Sequence, residues 1–161
     1  MKTRNFYLLI IFMLLSMAAF FSCGEKDTED NPDISSLTGT WELVNIAADV
    51  TATDDMEKAL ASADLVTTAF PKRSSLYIFY PNGTFEILTD QGESIRGTYL
   101  YRDNSLYIQF GSGGKATLDV WISGNTMRLD EDFSNRYIYE GSPYNTITRA
   151  TKIHHLVKQT Y

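Results

Sequence analysis

Short runs of alternating apolar and polar residues, separated by turn residues, occupy most of the chain from Ser74 onward. Successive side chains of a β-strand point to opposite faces of a sheet, so a period of two predicts strands with one buried face. The apolar faces read from the sequence are Leu106, Ile108 and Phe110; Ala116, Leu118, Val120 and Ile122; and Met127 and Leu129. Turn signals such as Pro81-Asn82-Gly83 and Ser123-Gly124-Asn125 recur every roughly 9 to 12 residues, as in hairpins joined in series. The pattern predicts an all-β fold, an antiparallel up-and-down β-barrel of about eight strands.

One segment, 54–65, departs from this period. Met56, Ala59, Leu60 and Ala63 fall at helical spacing. Asp54 followed three residues later by Glu57 is typical of a helix N-terminus. The segment predicts one short helix after the first strand, placed across one end of the barrel. There it would be a lid over a cavity, a plug that fills it, or a helix packed on the barrel mouth.

The start of the chain has the layout of a secretory signal. Lys2 and Arg4 precede the apolar run Phe6–Phe21, and the lone cysteine of the chain, Cys23, follows it. This arrangement resembles the lipobox of bacterial lipoproteins, which implies a signal peptide at 1–22 and a lipid attached to Cys23. Two alternatives stay open, a secreted protein without the lipid and an uncleaved membrane anchor, although the run is shorter than the roughly 20 residues that a spanning helix needs.

The residues after the cysteine are polar and acidic, and they predict a flexible lipidated tether at 23–35. Gly24 stands where some lipoproteins carry an aspartate that retains them in the inner membrane. The resemblance therefore implies the cell envelope, most simply the outer membrane, on its periplasmic or surface face. Without Lys2 and Arg4, 12 basic residues face 20 acidic ones, a net charge of about −8. Such a charge argues against a nucleic-acid partner, since affinity for phosphates rests on clustered Lys and Arg.

The remaining segment, 36–161, is long enough for one domain. It opens with Gly39-Thr40-Trp41, continues through Tyr80-Pro81-Asn82-Gly83-Thr84-Phe85 and ends in a strand that carries Lys158. These residues resemble the lipocalin-like domain found in many bacterial lipoproteins. The resemblance implies that Trp41 closes one end of the barrel, with the side chain of Lys158 or Arg149 stacked on it as a cation–π pair.

The sequence offers little evidence for a catalytic or metal-binding site. His154 and His155 are neighbours on a predicted strand, so their side chains point to opposite faces and cannot share one metal ion. No segment resembles a nucleophile elbow or a phosphate-binding loop. We expect a protein that is not an enzyme and has no catalytic residues, no metal and no cofactor.

Aromatic residues are frequent in the predicted strands and are stronger evidence for a function, that of binding a ligand. Those predicted to line a binding cavity are Tyr77, Phe79, Phe85, Tyr99, Tyr101 and Trp121. The first hypothesis is a membrane-anchored barrel that binds a small hydrophobic or aromatic ligand inside. The alternative is a barrel with a filled core that serves as a surface interaction or accessory subunit of an outer-membrane assembly, with an envelope protein as partner. The volume of the interior separates the two hypotheses.

Overall fold

The computed structural model describes residues 34–67 and 74–160. The predictions for the signal peptide, for Cys23 and for the tether up to residue 33 lie outside the described residues. Eight antiparallel strands form a closed barrel in which each strand pairs with its neighbours in sequence and β8 pairs with β1. The strands are β1 (Gly39–Ala52), β2 (Leu76–Phe79), β3 (Thr84–Leu88), β4 (Ser94–Arg102), β5 (Ser105–Phe110), β6 (Lys115–Ser123), β7 (Thr126–Asp132) and β8 (Ile147–Lys158). The predicted up-and-down β-barrel is thus confirmed.

The alternation of side chains places the apolar runs inside the barrel. In β5, Leu106 and Ile108 are buried while Tyr107 is exposed. The same holds in β6 and β7, where Leu118, Val120 and Leu129 belong to the main hydrophobic core. Burial of these side chains removes apolar surface from water, the dominant favourable term in folding.

Three helices accompany the barrel within the described residues, where the sequence predicted one. They are α1 (Ile34–Leu37), α2 (Asp55–Thr67) and α3 (Ser134–Tyr137). Helix α2 is the predicted one, and the Asp54 carboxylate accepts a hydrogen bond of 2.8 Å from the backbone N–H of Glu57, as an N-cap does. Helix α1 corrects the predicted tether, because residues 34 and 35 already belong to a helix whose Leu37 is fully buried.

The strands β1 and β8 are longer than the others and extend beyond the body of the barrel. The register of β1 with β2 covers Gly39–Glu42, whereas its register with β8 runs from Trp41 to Ala52. A second hydrophobic cluster covers this extension. In it Ala61 and Leu65 of α2 pack with Val50, Tyr137 and Ala150. The helix therefore lies on the β1–β8 ribbon.

The apolar stripe that predicted α2 is not its buried face. Met56 is 74% exposed and Leu60 is 55% exposed, while Ala61 and Leu65 are buried. The reason lies outside the helix. Tyr137 donates a hydrogen bond of 2.7 Å from its hydroxyl to Asp64, so α3 fixes which side of α2 turns inward.

Candidate functional site

One end of the barrel is closed around Trp41. Its side chain is fully buried, and the indole N–H donates a hydrogen bond of 2.8 Å to the carbonyl oxygen of Leu37 in α1. The Lys158 ammonium lies 5.1 Å from the centroid of the Trp41 ring, within reach of a cation–π interaction. Arg149, the other candidate from the sequence, instead pairs with Asp49 at 2.6 Å.

Gly39 makes the close approach of Lys158 possible. Its φ of +130° lies in a region that side chains with a Cβ atom disfavour, and a Cβ added there would stand 2.9 Å from Cε of Lys158. The Gly-x-Trp sequence therefore has a local structural reason: glycine admits the lysine stem that covers the tryptophan.

Five of the six aromatic side chains predicted to line a cavity are buried. They are Tyr77, Phe79, Phe85, Tyr99 and Tyr101. Three of these rings pack against that of Phe79: its centroid lies 5.3 Å from that of Tyr99, edge to face, and 6.5 Å from those of Phe85 and Tyr77. Such pairs add stability beyond the area that they bury. These rings thus fill the interior that they were predicted to line as a ligand cavity.

Gly97 shows how closely this interior is packed. A Cβ atom built on it would come within 2.6 Å of Cε1 of Phe85 and would also overlap the carbonyl oxygen of Gln109. The Phe85 ring lies directly against the backbone of β4, and it also meets the Phe110 ring edge to face, at 5.7 Å between centroids.

The prediction that Trp121 lines the interior is wrong. Trp121 is 51% exposed on the outer side of β6, because its neighbours Val120 and Ile122 occupy the inward positions of the strand. The guanidinium of Arg128 lies 5.1 Å from the centroid of its ring. Trp121 therefore belongs to the outer surface of the barrel.

Buried polar groups lie beside Tyr77, the residue of β2 that pairs with Trp41. His154 points inward and is only 3% exposed, and its Nδ1 lies 3.0 Å from the hydroxyl of Tyr77. Among the described residues, Nε2 of His154 and Oγ of the fully buried Ser75 have no hydrogen-bond partner. An unpaired buried polar atom costs stability unless a water molecule or ligand binds it.

Burial dominates the electrostatics of this cluster. It lowers the pKa of His154 to about 3, assisted by the positive charge of Lys152 and by His155. It also raises the pKa of Tyr77 well above its usual value, with the Glu131 carboxylate adding to the effect. Burial likewise raises the pKa of Glu131 and lowers that of Lys152, while the attraction between these two charges opposes both shifts. His154 is therefore a neutral imidazole at physiological pH.

The outer side of β6, β7 and β8 carries a recess of about 440 Å³ beside Trp121. Asp130, which is buried, accepts two hydrogen bonds from Arg128, one at 2.6 Å from Nε and one at 2.5 Å from the terminal nitrogen. Arg149 contributes a second guanidinium to the wall of the recess, and Asp119 and Asp132 contribute carboxylates. We call the recess lined by these residues and by Thr151 the Trp121 recess.

Sequence reasoning missed the Trp121 recess, although part of its signal was present. Period two places Trp121 and Arg128 on the outward faces of neighbouring hairpin strands, and the register sets them directly opposite each other. Asp130 and Asp132 both belong to β7 and line the same recess. Only the observed register aligns these residues with Arg149 of β8.

The described residues hold no group of three His, Cys, Asp or Glu side chains placed to bind a metal ion. In this part of the chain, no helix is long and apolar enough to cross a membrane.

No family model matches the chain, and no curated protein matches it in sequence. Similar solved structures include an uncharacterized protein from Bacteroides eggerthii, which is 16% identical with a TM-score of 0.41, and the match covers 76% of this chain and 98% of that one. Another is a DUF4847 family protein from Bacteroides vulgatus, which is 17% identical with a TM-score of 0.40, covering 76% of this chain and 95% of that one.

Proposed function

We propose that this chain is a lipoprotein of the cell envelope, anchored in the outer membrane through Cys23, whose barrel is a solid scaffold that binds a partner on its outer surface. The observation that carries the proposal is the packing of the interior. The ring of Phe79 packs against those of Phe85 and Tyr99, and all three side chains are buried. A core packed in this way has few voids larger than a water molecule.

The anchor follows from the sequence of the first 23 residues. A positive start, an apolar run and a cysteine directly after it match the layout of a bacterial lipoprotein signal. Several acyl chains on that cysteine would hold the protein stably at the membrane, since one chain alone binds only marginally. The barrel would then face the aqueous side of the envelope, with its outer surface available to partners such as an envelope protein.

A second candidate is a barrel that binds a small ligand beside Tyr77 and His154. The specific observation in its favour is the pair of buried atoms, Oγ of Ser75 and Nε2 of His154, that have no partner among the described residues. A small molecule that carries a polar group would give such an atom a partner.

A cavity-creating variant separates the two candidates. The wild-type barrel, freed of its lipid, should show no saturable uptake of benzene, indole or a fluorescent fatty acid. Phe79→Ala should open an apolar cavity and bind benzene or indole, as engineered cavities lined by apolar side chains do. Phe79→Leu, which retains most of the volume, is the matched control and should not bind them.

One-to-one binding of these probes by the wild type would overturn the solid-scaffold proposal. The ligand-binding candidate would then replace it. If Phe79→Ala binds a probe and the wild type does not, the assay is shown to detect a cavity of this size where one exists.

A further inference from the structure

Hydrogen bonds to a buried carboxylate fix the side chains that form the Trp121 recess. Asp130 is buried, and its carboxylate accepts two hydrogen bonds from the guanidinium of Arg128. Arg128 in turn lies 5.1 Å from the centroid of the Trp121 ring. Paired hydrogen bonds of this kind fix the plane of a guanidinium, and a fixed guanidinium limits the positions of the ring beside it. The exposed indole is therefore a preorganised surface.

The charges of the recess select against an anionic ligand. Arg128 is paired with Asp130, and Arg149 is paired with Asp49 at 2.6 Å. Asp119 and Asp132 add two further carboxylates to the walls. The recess is thus lined by two guanidiniums and three carboxylates, and Asp49 pairs with Arg149 from outside the lining. A phosphate or sulfate would therefore meet net repulsion.

The walls also differ from those of an apolar ligand site. Trp121 supplies one broad apolar surface, and the other side chains of the recess donate or accept hydrogen bonds. Carboxylate oxygens accept, guanidinium N–H groups donate, and the Thr151 hydroxyl does both. A ligand that fits must carry one apolar face and a rim of neutral groups that both donate and accept.

We propose that the Trp121 recess binds a neutral saccharide. A pyranose ring has a C–H face that packs on an indole and a rim of hydroxyl groups that donate to carboxylates and accept from guanidinium N–H groups. The volume of about 440 Å³ lies within the range of small-molecule sites. The inference rests on the proposed function, in which the outer surface of the barrel engages a partner, and it names the chemical class of that partner.

The protein carries its own reporter for the test. Trp41 and Trp121 are its two tryptophans, and Trp41 is fully buried, so changes in emission on adding a ligand report on Trp121. The probes are maltose, cellobiose, lactose and N,N′-diacetylchitobiose, with soluble dextran as a polymer and heparin as an anionic control. At least one neutral probe should change the emission saturably, and heparin should not.

Calorimetric titration then compares three variants with the wild type. Trp121→Ala should weaken binding of the active probe at least tenfold, and Trp121→Phe, which keeps a ring, should weaken it less. Tyr107→Ala is the matched control: Tyr107 is 47% exposed on β5 and takes no part in the recess, so binding should be unchanged. Circular dichroism checks that each variant is folded.

The inference is overturned if no neutral probe binds saturably at millimolar concentration, if Trp121→Ala binds as tightly as the wild type, or if heparin is preferred. A purified envelope protein that binds the wild type but not Trp121→Ala, without saccharide binding, would assign the recess to a protein instead. None of these results would change the outcome of the Phe79→Ala cavity assay, so failure of the saccharide inference and failure of the solid-scaffold proposal are distinguishable.

Discussion

The hydroxyl of Tyr77 lies 3.0 Å from Nδ1 of His154, and the two residues are 77 positions apart in the chain. Their contact links β2 with β8 across β1, which pairs with both strands. Lys152 acts electrostatically on His154, and Glu131 acts on Tyr77. The link thus depends on closure of the sheet and on burial of a neutral imidazole.

Acid should therefore destabilise the barrel through His154. Its pKa is about 3 in the folded chain against an ordinary value of 6.5, so the unfolded chain binds more protons between these values. The stability contributed by the neutral imidazole is present above pH 6.5 and is lost as the pH falls toward 3, at up to about 1.4 kcal/mol per pH unit. Chemical denaturation at a series of pH values measures this slope.

The matched variants for this prediction are His154→Gln and His155→Gln. Glutamine can keep a hydrogen bond to Tyr77 but does not titrate, so His154→Gln should lose this part of the acid sensitivity. His155 points to the other face of β8, and its variant should keep it. The raised pKa of Glu131 acts with the opposite sign in the wild type and in both variants, so it cancels in the comparison. Equal slopes for the wild type and His154→Gln would contradict the prediction.

Trp41 and Trp121 should differ sharply in their effect on stability. Trp41→Ala removes a fully buried ring and its hydrogen bond to Leu37, and it should cost about 3–5 kcal/mol of unfolding free energy. Trp121→Ala, at an exposed site, should cost less than about 1 kcal/mol. Lys158→Met keeps the aliphatic stem and should lose only the cation–π term, about 0.5–2 kcal/mol. A melting temperature unchanged by Trp41→Ala would show that this end of the barrel is not closed as described.

The barrel could be predicted from the sequence because alternation along a strand is a local property. Leu106 and Ile108 needed only their own spacing to be placed inside, and Trp121 could have been placed outside from Val120 and Ile122. Contacts between strands could not be predicted in the same way. The pairing of Tyr77 with His154 depends on the register of strands far apart in the chain, and register is set by the whole sheet.

The buried face of α2 could not be predicted from the sequence for a related reason. Its apolar stripe, which includes Met56 and Leu60, has a helical period, but the residues that choose its inward side lie far along the chain. The Tyr137 hydroxyl bonds to Asp64 at 2.7 Å, and the backbone N–H of Thr146 donates to the Glu57 carboxylate at 2.8 Å. Together they turn Ala61 and Leu65 toward the β1–β8 ribbon.

Two leucines of α2 test this orientation directly. Leu65 is 2% exposed and packs in the second hydrophobic cluster, so Leu65→Ala should cost about 2–5 kcal/mol. Leu60 is 55% exposed on the same helix, and Leu60→Ala should change stability by no more than about 0.5 kcal/mol. Denaturant unfolding of both variants measures the difference. A larger loss for Leu60→Ala would mean that the apolar stripe predicted from the sequence is the packed face after all.

The anchor of the proposed lipoprotein depends on one sulfur atom, that of Cys23, the single cysteine of the chain. Cys23→Ala should therefore abolish labelling by radioactive palmitate and leave the precursor uncut by the lipoprotein signal peptidase, because no lipid can be attached. Cys23→Ser is the control of similar size and should fail in the same way, which would show that the thiol rather than side-chain volume is required. Labelling, gel mobility and membrane fractionation of the full chain in a bacterial host measure the outcome. If Cys23→Ala is processed and remains with the membrane as the wild type does, the chain is held there by other means and the proposed lipid anchor is wrong.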